Sequence, residues 1–465
     1  MKYLSCLKLS GVAARTTALK HVWLNVLLWV FLFAICMLLL DAQPPVHARQ
    51  FANPAPIPDS SINWITPDHV YVPYIKTVHL YPSDMPLNYP LITLNSGQTL
   101  TLSFDDLEGG VKDYYYTIVL CNADWKPANL NPFEYIKGFS ENRITQYRFS
   151  TFPLQHYTHY TLSFPNSNCA PARPGNYILK VYLNDDPSQP VFTRRFLVVN
   201  QAVQIAGKIE QPINPKIFQT YQKVNIQIDT RGLNVSNPFD QIKVWMLQNY
   251  RWDNAIHDIR PTFVRGSVLE YNAENDCEFP AMKEWRWIDL RSFRLETERV
   301  ERIDENNNQI EVYARPDASR ANQRYQQRRD IDGRYTTEML ESGYNPDVDG
   351  DYATVHFSYV TPEPFTNAHL YIFGELTNYE CNPSNELHYN PTTGAYEGSL
   401  FLKQGYYDYI YGLVTPGSNQ LDTRLTEGNW WETENTYTIL VYFRPIGGRA
   451  DELVGATVLN SITNR

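Results

Sequence analysis

Cysteine is scarce in this chain, and what there is lies scattered. Of six cysteines in 465 residues, Cys121, Cys169, Cys277 and Cys381 are the four that follow residue 48. No two have the CxxC spacing of a zinc site, which excludes metal binding through cysteine. Cys121 and Cys169 are the one pair within a single expected domain. A disulfide between them and two buried thiols are both open readings. Catalytic signatures are missing as well: there is no G-x-S-x-G elbow, no H-E-x-x-H pair and no phosphate-cradling glycine loop. Positive charge is in deficit, with 40 Lys+Arg against 50 Asp+Glu. Such a surface repels phosphate backbones, so nucleic acid is not an expected partner.

Long apolar runs are confined to one place. Residues 22–40 are apolar but for an interruption at Asn25, preceded by Lys2, Lys8, Arg15 and Lys20 with no acid among them. Asp41 ends the run, and Val46-His47-Ala48 puts a small residue at a cleavage position. This order predicts a secretion signal over residues 1–48. The competing reading is an uncleaved anchor, since 19 apolar residues just span a bilayer. Cys36 follows Ile35 rather than a small residue, so lipidation is not expected there. Loss of the signal removes four basic residues and one acid and leaves a net charge of about −13.

Aromatic residues and proline are plentiful: 33 tyrosines and 31 prolines, with aromatics at 14%. Both favour strands and turns over helices. Residues 99–104, 160–164, 177–183, 203–209, 224–228, 353–359, 396–402 and 437–443 alternate polar and apolar with a period of two. Turn signals such as Glu108-Gly109-Gly110 and Arg173-Pro174-Gly175-Asn176 separate them. The fold class expected is all-β, as tandem immunoglobulin- or fibronectin-like sandwiches. Residues 315–329 are the best helical candidate but nearly all polar, and read as part of a solvated, weakly ordered excursion. The 417 residues after the signal exceed one ordinary core. The division predicted is an extended lead-in at 49–73, a first sandwich at 74–200, a second β-domain with the charged excursion at 201–350, and a last sandwich at 351–465.

Few residues offer chemistry. His156 and His159 lie in an extended stretch, which would aim them at opposite faces and away from a shared metal. Asn345-Pro-Asp347-Val-Asp349-Gly350-Asp351 imitates the first half of a calcium loop, but His356 stands where the bidentate glutamate belongs. Asp330-Ile-Asp332-Gly333 is a weaker imitation. Both read as acidic turns, and no metal is assigned. Asp105-Asp106 leaves a strand for a turn and reads as turn hydrogen bonding. No nucleophile, base and orienting group occur together, so no catalytic residue is assigned. Three aromatic and arginine clusters remain: Tyr250-Arg251-Trp252, Trp285-Arg286-Trp287 and Trp430-Trp431. Trp, Tyr and Arg carry interface energy, so these are the candidate partner-binding residues; packing inside a sandwich is the stronger competing reading.

The stretches Leu102-Ser-Phe-Asp-Asp-Leu107, 114–120 and Cys121-Asn-Ala-Asp-Trp125 resemble the N-terminal domain of the type IX secretion system plug protein family. Further matches include Phe133-Glu-Tyr-Ile-Lys-Gly-Phe139, Gly175-Asn-Tyr-Ile-Leu-Lys-Val-Tyr182 and Leu402-Lys-Gln-Gly-Tyr-Tyr-Asp-Tyr409, so that the resemblance runs over about residues 72–458. One departure is Leu120, where the family often has histidine. The resemblance implies a non-enzymatic periplasmic protein that binds and occludes the periplasmic opening of an outer-membrane β-barrel translocon. It implies no cofactor and no small-molecule substrate, a chain monomeric on its own, and a place at the inner face of the outer membrane. Tyr371-Ile-Phe-Gly-Glu-Leu-Thr-Asn-Tyr379 resembles early-set immunoglobulin-like modules that include glycogen-binding domains, with Tyr379 where those usually have tryptophan. A carbohydrate-binding envelope protein is therefore the alternative reading.

Overall fold

All eight segments with a period of two are strands in the computed structural model, which describes residues 68–306, 308–418 and 420–465. The expected signal at 1–48 and most of the lead-in at 49–73 lie outside the described residues. No described helix is long and apolar enough to cross a membrane. The three α-helices among the described residues are single turns of four residues, each with proline at its start.

The first lobe is a sandwich. One sheet orders Ile75–Pro82, Leu100–Asp106, Thr158–Phe164 and Gln146–Phe149; the other orders Leu91–Thr93, Pro190–Val199, Gly175–Leu183, Tyr114–Cys121 and Asn142–Arg143. Leu102, Phe104 and Tyr160 from the first meet Tyr114, Tyr116, Ile118 and Phe192 from the second in one core. Phe104 stacks on Tyr160 at 5.1 Å while Tyr114 stands edge-on to both. Each such ring stabilises the lobe by roughly 1.5–3 kcal/mol through burial.

The middle lobe takes strands from two distant parts of the chain. Tyr221–Asp229 lies between Gln204–Glu210 and Val268–Tyr271 in its first sheet. Its second sheet runs Arg251–Ile256, Ile242–Gln248, Thr436–Phe443 and Glu452–Asn460. The boundaries expected at 201–350 and 351–465 are therefore corrected: the last two strands return to the middle lobe. The reason lies in Thr436–Phe443, which is buried at every position. Tyr437, Ile439 and Val441 enter the middle core, while Leu440 and Tyr442 pack with Ile178, Leu197 and Val199 of the first lobe. A strand with apolar cover on both faces needs a neighbour sheet on each side.

The last lobe is a ten-stranded sheet from Arg286–Asp289 to Val300–Asn306, with Tyr406–Val414, His369–Phe373, Ala395–Lys403 and Tyr352–Val360 along its path. Side chains from all along that path share one core, so the sheet wraps round it. Its strand Arg286–Asp289 and the excursion at 315–334 precede residue 351, a second departure from the expected boundary. The excursion is no helix, and it is anchored rather than loose: Asp317 is buried beneath Arg286 and Arg299, and Arg320 pairs with Glu427.

Cys121 and Cys169 are free thiols. Cys169 points into the first lobe's core, whereas Cys121 faces the layer shared with the middle lobe. The strand's alternation sends Leu120 into the core and Cys121 out of it, so the two sulfurs lie on opposite sides of a sheet. Burial pushes each thiol up to about 12.

Candidate functional site at the lobe junction

Asn249 and Tyr250 both take left-handed backbone, at φ 52° and 61°, between the strands Ile242–Gln248 and Arg251–Ile256. Such a two-residue turn matches the twist of the hairpin and presents its side chains at the tip. Here the tip enters the place where all three lobes meet. Trp252 Nε1 donates to the Tyr89 hydroxyl at 2.8 Å, and the Tyr89 ring stacks on Tyr250 at 5.8 Å. Trp125 stands edge-on to Trp252 at 4.8 Å, with the Arg195 guanidinium over both indoles. From the last lobe, Arg334 covers Tyr250, and Phe373 lies under Arg251. Arg251 is 3% exposed and forks onto Asp253 at 2.6 and 3.1 Å. A cavity of about 290 Å³ opens beside this cluster, lined among others by Arg194, Arg195 and Arg334.

A second junction joins the first and last lobes through charge. Lys403 Nζ donates to Asp105 Oδ2 at 2.7 Å, with the two side chains 1% and 0% exposed. His159 Nδ1 lies 2.6 Å from Asp105 Oδ1, and the Tyr352 hydroxyl donates to Oδ2 at 2.7 Å. Burial opposes ionisation of Asp105, yet Lys403 and His159 together hold its carboxyl below the usual range. The pair Asp105-Asp106 therefore divides. Asp106 does accept the Glu108 N–H of the turn at 3.0 Å, but the turn expected for Asp105 is corrected to an ion pair between lobes. Its signal, a lysine almost three hundred residues away, is not local.

Of the other clusters, Trp285-Arg286-Trp287 packs within the last lobe and its excursion, and Trp430-Trp431 lies between that excursion and the middle lobe. Trp285 is 2% exposed and lies against Gly333, while Arg286 is clamped by Asp317 at 2.7 Å and Glu427 at 2.9 Å. Burial favours a neutral Glu427, but Arg286 and Arg320 outweigh it and depress the carboxyl to about 2. Trp287 sits beneath Arg328. Trp430 stacks on Tyr325 at 6.2 Å, and Trp431 lies under Arg465 at 4.5 Å. These residues pack against the protein itself. The stretch 345–351 engages its oxygens on backbone: Asn345 accepts the Asp347 N–H, and Asp351 accepts those of Leu154 and Gln155. Tyr379 does not form a surface stacking platform, because its ring meets Phe373 and its hydroxyl donates to the Gly333 carbonyl.

Residues 75–200 match the model of the type 9 secretion system plug protein first domain. The chain belongs to the type IX secretion system plug protein family. A crystal structure of a hypothetical protein from Parabacteroides merdae is similar at TM-score 0.81 and 32% identity, covering 84% of this chain and 98% of that one. No curated protein matches. In this plug-family chain the matched region carries a feature that the sequence reading missed. Tyr147 and Phe149 are exposed on the edge strand Gln146–Phe149, and Phe133 and Phe152 are 80% and 68% exposed. The alternating segments of the sequence did not include residues 146–149, and their exposure became visible only with the strand placed at the edge of its sheet.

Proposed function

We propose that this protein binds the periplasmic opening of the outer-membrane type IX translocon and occludes it, acting without catalysis from the periplasmic side. The observation that carries the reading is the match of residues 75–200 to the first domain of the plug protein. Two structural features support it. A stopper must keep its shape, and here buried ion pairs and interlocked aromatics join the lobes. It must also offer a partner something to cover, and the exposed aromatics of the first lobe are surface of that kind. An interface released during transport needs moderate affinity, which a rigid body reaches with limited area because little ordering is required.

Co-purification tests binding: a tagged chain extracted with outer membrane is expected to bring a very large β-barrel with it. Leakage tests occlusion: deletion is expected to raise permeability to small toxic solutes while the barrel stays in place. Unchanged permeability with the barrel present overturns the plugging reading.

A further inference from the structure

We infer that the seam between the middle and last lobes binds one divalent cation, calcium in preference to magnesium, on the carboxylates of Asp330, Asp332 and Glu434. One oxygen from each lies within 4.8 Å of the others. That is the spread expected of ligands about 2.3–2.6 Å from a shared calcium ion. The set is all oxygen, without histidine or thiolate, which excludes a zinc-type site. Asp330 and Asp332 belong to the excursion anchored on the last lobe, whereas Glu434 leads into the middle-lobe strand Thr436–Phe443. An ion here would therefore bridge lobes, and no linear motif could have displayed the set.

The triad is held from behind. Asp330 Oδ2 accepts the Trp285 N–H at 2.6 Å, and Oδ1 accepts the Asp332 N–H at 3.2 Å. Asp332 Oδ1 has no hydrogen-bond partner. Two further buried acids stand beside the triad. Asp408 is 0% exposed; its Oδ2 accepts the N–H groups of Ile331 and Gly333, which flank Asp332, and its Oδ1 has no partner. Glu284 is 3% exposed; its Oε1 accepts from the Tyr325 hydroxyl and the Glu434 N–H, and its Oε2 has no partner. Five carboxyl groups thus gather here, with Arg328 and Arg329 among their cationic neighbours. Buried oxygens without donors and an excess of one charge are both relieved by a cation. Calcium tolerates irregular ligand sets from separate elements, while magnesium demands near-octahedral order.

The test uses the signal-free chain stripped with EDTA and titrated with CaCl2, followed by calorimetry and thermal unfolding. One ion per chain is expected, with a dissociation constant on the order of 10⁻⁴ M, as for extracellular calcium modules. Saturation should raise the unfolding midpoint by about 2–4 °C. Asp332→Asn and Glu434→Gln should each weaken binding at least tenfold and abolish that rise, while Asp347→Asn in the acidic turn at 345–351 leaves both intact. Terbium emission excited through Trp285 and quenched by added calcium needs no variant and reports the site in the unaltered chain. The inference is overturned by the absence of heat, midpoint shift and terbium emission at 5 mM ion, by binding that survives both triad variants, or by loss of binding in Asp347→Asn.

Discussion

Replacing Lys403 with methionine keeps the length of the side chain and removes its charge, which isolates one interaction between the first and last lobes. The ammonium donates to Asp105 at 2.7 Å and to the Asp347 carbonyl at 2.9 Å, and it lies 4.2 Å from the centre of the Tyr157 ring. Both charged groups are essentially unexposed, so water cannot replace the lost partner. Breaking a buried pair from one side costs about 3–5 kcal/mol, because the remaining charge is left uncompensated. His159 and the Tyr352 hydroxyl still bond the Asp105 carboxylate, which places the expected loss near the lower end, about 3 kcal/mol. Adding Asp105→Asn to Lys403→Met should cost less than the two single changes together, with a coupling of about 2 kcal/mol. Urea unfolding at pH 7, followed by tryptophan fluorescence, measures both quantities. A loss under about 1 kcal/mol for the single variant, or strict additivity in the double, would refute the claim that this pair holds the lobes together.

Glu427 should govern acid sensitivity of the last lobe. Its folded value of about 2 lies below the ordinary 4.5, so its stabilisation is complete above pH 4.5 and is lost as pH falls through 2. The effect is about 3 kcal/mol, and Glu427→Gln should flatten that limb of the pH–stability curve measured by denaturation. Gly333→Ala should destabilise by at least about 2 kcal/mol in the same assay, because its φ is +78° and a Cβ would stand 2.4 Å from the Trp285 indole. A fragment of residues 351–465 should fail to unfold cooperatively when heated, since two of its strands complete the middle lobe; a sharp calorimetric transition from that fragment would contradict the pairing. Ellman titration of the signal-free chain in its native state should find Cys121, Cys169 and Cys277 protected, with all four of its thiols appearing after denaturation and no change on prior reduction.

What the sequence displayed was local, and what it concealed was long-range. Residues 99–104 and 353–359 read as strands because alternation is printed residue by residue, and pleated backbone converts it directly into one buried face. The run Tyr437-Thr-Ile-Leu-Val-Tyr-Phe443 was legible as a strand too, but its destination was not. A strand buried on both faces names no partner, so the return to the middle lobe was visible only once Ile242–Gln248 was seen beside it. The tryptophan clusters followed the same rule. Trp285 and Trp287 alternate about Arg286, but sequence alone could not say that Gly333 would lie against the first and Arg328 over the second. Asp105 shows the limit most sharply, because a turn-forming reading was locally sound while its partner Lys403 lay in another lobe.

The placement of the aromatics bears directly on how a plug could bind. Tyr250 and Trp252 engage their rings at the lobe junction and Trp285 inside the last lobe, so these rings serve to rigidify the body that would approach a channel. Rigidity lowers the entropy lost on docking, but it supplies no attraction of its own. If the plugging reading holds, the attraction must come from apolar groups left uncovered, and on the matched domain these include Phe133, Phe139, Phe149 and Phe152. None of them anchors the folded core, which lets them change without loss of stability. Junction residues thus set the shape and surface residues set the affinity. Serine at Phe149 and Phe152 should weaken co-purification of a barrel at unchanged thermal stability, whereas alanine at Trp252 should loosen the body first and affect binding only through that change.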